Sequence, residues 1–162
     1  VLKETGATVT ELDDGAIVVK RSEDMHGITV DAAEIPDLVP IIAVLCAFCK
    51  GESRIINAGR LRMKESDRLA AVSSELKHLG LDITEGTDYL IINGTDVLHG
   101  TTVSSWNDHR IAMALSIAAC RCEGQVSIMG AQTAVLKSYP DFFEVYNSVY
   151  KGPESLMKFG GK

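Results

Sequence analysis

Apolar and polar positions alternate along this chain with two different periods, and the switches between them mark its elements. In GATVTELDDGAIVV (6–19) and again in GLDITEGTDYLII (80–92), apolar residues alternate with polar ones on both sides of a turn rich in Asp or Gly, which predicts two β-hairpins. A helical stretch follows each, IIAVLCAF in one case and AMALSIAA in the other. Each helix then meets a glycine stop and a short strand, in KGESRI (50–55) and EGQVSI (123–128). Thirteen residues beyond these glycines stand Lys64 and Lys137, each just ahead of another helix start. The chain therefore repeats itself. Each unit reads strand, strand, helix, strand, helix, over about residues 6–79 and 80–150, with a flexible Gly- and Lys-rich tail at 151–162. The fold class is α/β, built from repeated ββαβα units with helices packed on mixed sheets. The opening VLKETG matches the LKHLG that closes the first unit, so it reads as the last turn of a helix belonging to a further unit upstream.

Composition narrows the function classes. At 162 residues and 46% hydrophobic content the chain can bury a substantial core. A net charge of −6 excludes a general nucleic-acid or anionic-membrane surface, so an anion site has to be a local gathering of cations. The longest apolar run is too short to cross a bilayer, and the first residues lack the pattern of a signal peptide, so a cytoplasmic, reducing setting is expected. Cys46 and Cys49 form a CxxC and Cys120 and Cys122 a CxC, but the first pair lies inside an apolar helical run with no turn to wrap a metal. All four are expected to be reduced packing residues, with no metal bound.

Charge is concentrated where it is locally unfavourable. In LRMKESDRLAA (61–71), Ser66 or a neighbour caps a helix, and Lys64 and Arg68, four apart, project from one side of its first turn. Like charges there repel, and a cation at a helix N-terminus opposes the macrodipole by about 0.3–1 kcal/mol. The pattern recurs in SSWNDHRIAMA, where Asn107 or Asp108 caps a helix whose first turn holds His109 and Arg110. It recurs again at Lys137, ahead of SYPDFF, where Pro140 suits the first helical position. Any one cation is explained by a neighbouring acid, Lys64 with Asp67 or Arg68 with Glu65. The set is better explained by one phosphate or carboxylate at which the helix ends converge. Asp37 in EIPDLVP opens a helix, where spacing alone makes it an N-cap.

The stretches DAAEIPDLVPIIAVLCAF, RLRMKESDRLAAVSSELKHLG, WNDHRIAMALSIAA and VLKSYPDFFE resemble, in order and separation, the C-terminal portion of the 5-enolpyruvylshikimate-3-phosphate synthase family. The resemblance covers about residues 4–150 and implies the enolpyruvyl transferase fold of βαβαββ-type units, with residues 1–150 a partial C-terminal domain and an N-terminal domain as its missing partner. It implies transfer of enolpyruvyl from phosphoenolpyruvate to the 5-hydroxyl of shikimate 3-phosphate, without metal or organic cofactor. Asp37 would hold or deprotonate the hydroxyl, Glu65 would handle the methylene proton, and Lys64 would touch the reacting oxygens. Arg68, Arg110 and Lys137 would grip phosphoenolpyruvate with His109 beside them, and Asp108 would join the substrate-binding set. Arg60 stands where several members have asparagine facing shikimate 3-phosphate. Two alternatives stay open, a UDP-N-acetylglucosamine enolpyruvyl transferase and a non-catalytic anion-binding module. The chain by itself is expected to be inactive.

Overall fold

The computed structural model describes residues 1–150 and 157–158. The expected flexible tail, 151–162, lies outside the described residues except for its two-residue strand. Both predicted hairpins form. The first joins β1 (Thr8–Glu11) to β2 (Ile17–Lys20), and the second joins β5 (Asp82–Glu85) to β6 (Leu90–Asn93). Between them lie β3 (Thr29–Asp31), α1 (Val39–Ala47), β4 (Glu52–Ile56) and α2 (Arg68–His78). The second half continues with β7 (Leu98–His99), β8 (Thr102–Ser104), α3 (His109–Ala119), β9 (Cys122–Glu123) and β10 (Val126–Met129). It closes with α4 (Ala131–Val135), α5 (Phe142–Val149) and β11 (Met157–Lys158).

Each helical run connects parallel strands. β3 pairs in parallel with β4 across α1, and β8 with β10 across α3. The short strands β3 and β8 are absent from the sequence reading. Each has three residues and buries only its central valine, Val30 or Val103, too little for alternation to register. Hydrogen bonding also crosses the sequence repeat. The second hairpin docks antiparallel on β4 through β6, giving a sheet in the order β3-β4-β6-β5. Residues 29–93 thus close one βαβαββ sheet with its two helices. The first hairpin stands as a separate two-stranded sheet whose Ile17 and Val19 are 66% and 49% exposed.

The repeat is visible at atomic level in two glycines. Gly27 and Gly100 stand where the chain enters the parallel strand of each unit, and a Cβ on either would collide with the backbone of the returning strand, at Glu52 or at Gly124 and Gln125. The helix-stop geometry predicted at the start of the chain is also present. The Ala7 N–H reaches the Leu2 carbonyl and the Gly6 N–H that of Lys3, as the Leu81 N–H reaches Leu76 and the Gly80 N–H reaches Lys77 at the end of α2. Gly6 and Gly80 both take positive φ, 89° and 94°.

Helices α1, α2 and α3 pack on one another with the sheets outside them, which places one apolar core along α1. Seven of the nine residues of α1 are buried, so it reads as apolar all round. Cys46, Cys49 and Cys122 belong to this interior, where burial pushes the thiols of Cys46 and Cys122 up to about 11. Cys120 departs from the packing expectation. It is exposed, with its sulfur 2.9 Å from the Tyr146 hydroxyl.

Gly27→Ala is expected to lower stability by about 1–3 kcal/mol through overpacking. Gly15→Ala, at a loop tip with open space around the would-be Cβ but φ of 80°, should show only the cost of the left-handed conformation, about 1 kcal/mol. Urea unfolding of the two variants checks the order.

Candidate functional site

Three loops leading into helices meet at one place. Asp67 caps α2, accepting the Ala70 N–H at 3.0 Å, and Asp108 caps α3, accepting the Arg110 N–H at 2.9 Å. Both caps fall within the alternatives open in the sequence. Asp37 does open a helical segment, the 3₁₀ turn Pro36–Leu38, but no side-chain cap forms there. Its carboxylate instead meets three cations, Lys64 Nζ at 3.1 Å, Arg68 Nη1 at 2.9 Å and Arg110 Nη2 at 3.3 Å. The neighbouring ion pair Lys64–Asp67 does not form. Asp67 is paired with Arg62, at 2.8 Å.

Arg68 organises this cluster. Its side chain is 1% exposed, and each guanidinium nitrogen donates to a carboxylate. Nε and Nη2 fork onto Asp108 at 2.7 and 3.2 Å, Nη1 reaches Asp37, and Nη2 also reaches Glu65 at 2.6 Å. The Ser66 hydroxyl donates a further bond to Asp108 at 3.0 Å. Arg68, expected to grip an anion, is thus committed to carboxylates of this chain. Lys64 and Arg110, 29% and 34% exposed, are the cations that face outward.

Asp37 and Asp108 are held ionised. The Lys64 ammonium lowers the Asp37 carboxyl below the usual carboxylate range against a smaller opposing effect of burial, with Arg110 and Arg68 adding to it. Burial raises Asp108, yet the Arg68 guanidinium, the Arg110 N–H and Ser66 together outweigh it and leave that carboxyl lowered as well.

The remaining expected residues surround this core less closely. Lys137 follows α4 and donates to the Asn107 carbonyl at 2.9 Å, one residue before Asp108. Pro140 precedes the N-cap Asp141 and so lies outside α5, not at its first helical position. His109 is the first residue of α3 and is buried, its Nδ1 lacking a hydrogen-bond partner and 4.0 Å from Asp108. Arg60 is exposed and lines a hollow of about 390 Å³ with Glu34, Pro36 and Asp37. Sequence reasoning passed over Arg62, which reaches Asp67, Glu85, Thr87 and Gly86 and so ties the loop before α2 to the β5–β6 turn. It also passed over Glu75. The partners that define them, Glu85 for Arg62 and Trp106 for Glu75, are distant in sequence, and no spacing signals them.

Two parallel βαβ units, the first closed by the hairpin of the second, form the enolpyruvyl transferase fold. Superposition on an EPSP synthase from Acinetobacter baumannii gives a TM-score of 0.79 at 30% identity, covering 96% of this chain and 38% of that one. The enolpyruvyl transferase NikO from Streptomyces tendae shares the fold, with a TM-score of 0.75 at 21% identity over 91% of this chain and 33% of its own. The sequence model of EPSP synthase (3-phosphoshikimate 1-carboxyvinyltransferase) matches residues 1–146, and the chain belongs to that family. The 3-phosphoshikimate 1-carboxyvinyltransferase of Clostridium acetobutylicum is 50% identical over 143 residues, 88% of this chain and 32% of that protein. That of Methanocaldococcus jannaschii is 42% identical over 92% of this chain and 34% of its own length. The chain spans about a third of the relatives it matches.

Arg68→Met should cost about 3–5 kcal/mol, because it strands carboxylates that include the fully buried Asp108. Asp37 and Asp108 bind protons less readily folded than unfolded, where the reference value is about 3.9. Their contribution is therefore complete above that value and disappears as pH falls through the lower folded values. Urea midpoints should drop below about pH 4 in the parent chain, and Asp108→Asn should be less stable at neutral pH with a shallower acid loss.

Proposed function

We propose that this chain supplies one face of the active site of a 3-phosphoshikimate 1-carboxyvinyltransferase, completed by sequence outside it. The observation that carries this reading is the meeting of Asp37, Lys64, Glu65, Arg68, Asp108 and Arg110 at the starts of α2 and α3. The 42–50% identity to 3-phosphoshikimate 1-carboxyvinyltransferases supports this reading over the UDP-N-acetylglucosamine enolpyruvyl transferase alternative. No helix among the described residues is long and apolar enough to cross a membrane, and the reading carries with it a cytoplasmic biosynthetic role.

The reaction needs an acid and a base that exchange roles. Protonation of the methylene carbon of phosphoenolpyruvate makes the adjacent carbon oxocarbenium-like. The 5-hydroxyl of shikimate 3-phosphate attacks that carbon and gives up its proton. Loss of phosphate and of a methyl proton from the tetrahedral intermediate then restores the enol ether. In our reading Glu65, half exposed and anchored through one oxygen to Arg68, moves the carbon-bound proton. Asp37, held as a carboxylate, orients the hydroxyl and receives its hydrogen bond or proton. Lys64 bridges from Asp37 to the reacting oxygens, while Arg110 and Lys137 take phosphate and carboxylate oxygens. Arg68 keeps Asp37 and Glu65 in place and reaches substrate only as they release it. His109 supports the start of α3, and Arg60 faces shikimate 3-phosphate from the hollow beside Asp37. The chemistry proposed uses no metal or organic cofactor.

The cluster also explains why the chain alone should bind without turning over. Three acids, Asp37, Glu65 and Asp108, balance three bases, Lys64, Arg68 and Arg110, so an anion must draw cations from partners they already have. Half a cleft also leaves substrate hydrated on one side. For the isolated chain the fitting description is therefore an anion-binding module.

Enolpyruvyl transfer should be undetectable with this chain alone and restored, if anywhere, on mixing with a separately made remainder of the protein. Turnover by the isolated chain contradicts the reading. Phosphoenolpyruvate should perturb amide resonances at 64–68, 108–111 and 137–141 with one shared affinity in the millimolar range, about −4 kcal/mol, weakened by salt. Arg110→Ala should abolish the joint response and Lys50→Ala should leave it intact. Separate affinities for the three segments count against a single site.

A further inference from the structure

The cluster does not use Glu75, although this carboxylate is only 4% exposed. Its bonds are made to neutral donors as well as to a histidine. Oε1 accepts the Trp106 indole N–H at 2.7 Å, Oε2 accepts the Ser104 N–H at 2.9 Å, and His78 Nδ1 stands 3.4 Å away. A buried carboxylate is costly unless something fixed by it offsets the cost.

What Glu75 grips is the segment that carries the site into α3. Glu75 and Arg68 are seven residues apart on α2, two turns along one face. Arg68 holds Asp108, and Glu75 holds Ser104 and Trp106, so one helix face clamps both ends of residues 104–108. Between the clamps, Trp106 and Asn107 take φ of 52° and 53°, left-handed values that non-glycine residues hold only when their surroundings impose them. Trp106 is 37% exposed, so burial alone does not fix its ring. The turn aims the Asn107 carbonyl at Lys137 Nζ and delivers Asp108 to cap α3.

We infer that Glu75 is a positioning residue for the anion site, fixing through Trp106 the turn on which Lys137 is anchored. Its relevance to substrate rests on the function proposed above, while the geometric part stands apart from it. The test uses this chain, with phosphoenolpyruvate as the probe and amide resonances as the readout. Glu75→Gln, which keeps the side-chain volume, should shift the ligand-free amides of 104–108 and Lys137 and leave those of 64–68 in place. It should weaken phosphoenolpyruvate about threefold to tenfold with the same affinity reported at all three segments, while the size of the saturating shift falls chiefly at 137–141. Trp106→Phe should give the same pattern, and the double variant should be no worse than the worse single one, because both remove one bond. Unmoved resonances at 104–108 and Lys137 in folded Glu75→Gln overturn the inference. So do ligand-free shifts that spread to 64–68 and through the core together with a lowered melting temperature, which mark a general packing role. If the parent chain shows no response to phosphoenolpyruvate, the functional reading fails, and the ligand-free shifts still decide whether Glu75 sets the turn.

Discussion

Burial of one guanidinium among three carboxylates is the constraint on which the rest of this site depends. Arg68 leaves water only because Asp108, Asp37 and Glu65 together satisfy its nitrogens, and those acids come from three separate stretches of chain. Removing a charged group from water costs several kcal/mol, so the arrangement has little value as a source of stability. Its value is geometric. Asp108 can cap α3 and meet Arg68 only if the starts of α2 and α3 face each other, and Asp37 joins them only if the turn before α1 lies alongside. The fold delivers this by running two βαβ crossovers side by side, with α1, α2 and α3 in mutual contact.

The same constraint explains the local offences in the sequence. Arg68 and Arg110 stand at the starts of α2 and α3 and oppose their dipoles, whereas Lys64 lies in extended chain three residues ahead of the α2 cap and not in that helix's first turn. In the folded chain Asp37 compensates all three at a single point. A carboxylate in that position stands where an anionic ligand's oxygens would compete for the same cations. Arg110 also binds the Asp37 main-chain carbonyl at 3.1 Å, so the turn is held by more than charge. Lys137, outside this set, is presented by the strained turn at Trp106 and Asn107, which links the second repeat's lysine to the cap of α3.

Much of this was legible in the sequence, for definite reasons. The hairpins and helices 39–47, 68–78 and 109–119 show because their periodicity is long and bounded by Gly, Pro and capping residues. The charged motifs at 64–68 and 108–110 show because they violate helix-end preferences twice in a repeated frame. The three-residue strands β3 and β8 were hidden because each buries one side chain. The sharing of a hairpin between repeats was hidden because pairing of β4 with β6 spans almost forty residues and leaves no periodic trace. The role of Asp37 was misjudged from spacing, which cannot show that Lys64, Arg68 and Arg110 arrive from other segments. Arg62 and Glu75 escaped for the same reason: what defines them is a partner about twenty to thirty residues away.

The most direct test of the account is a crystal structure of this chain soaked with phosphoenolpyruvate. The account predicts ligand density at the starts of α2 and α3, with phosphate and carboxylate oxygens on Lys64, Arg110 and Lys137 and with Arg68 still forked on Asp108. Ligand density elsewhere on the chain, or an Arg68 that leaves Asp108 to bind the ligand alone, would contradict it.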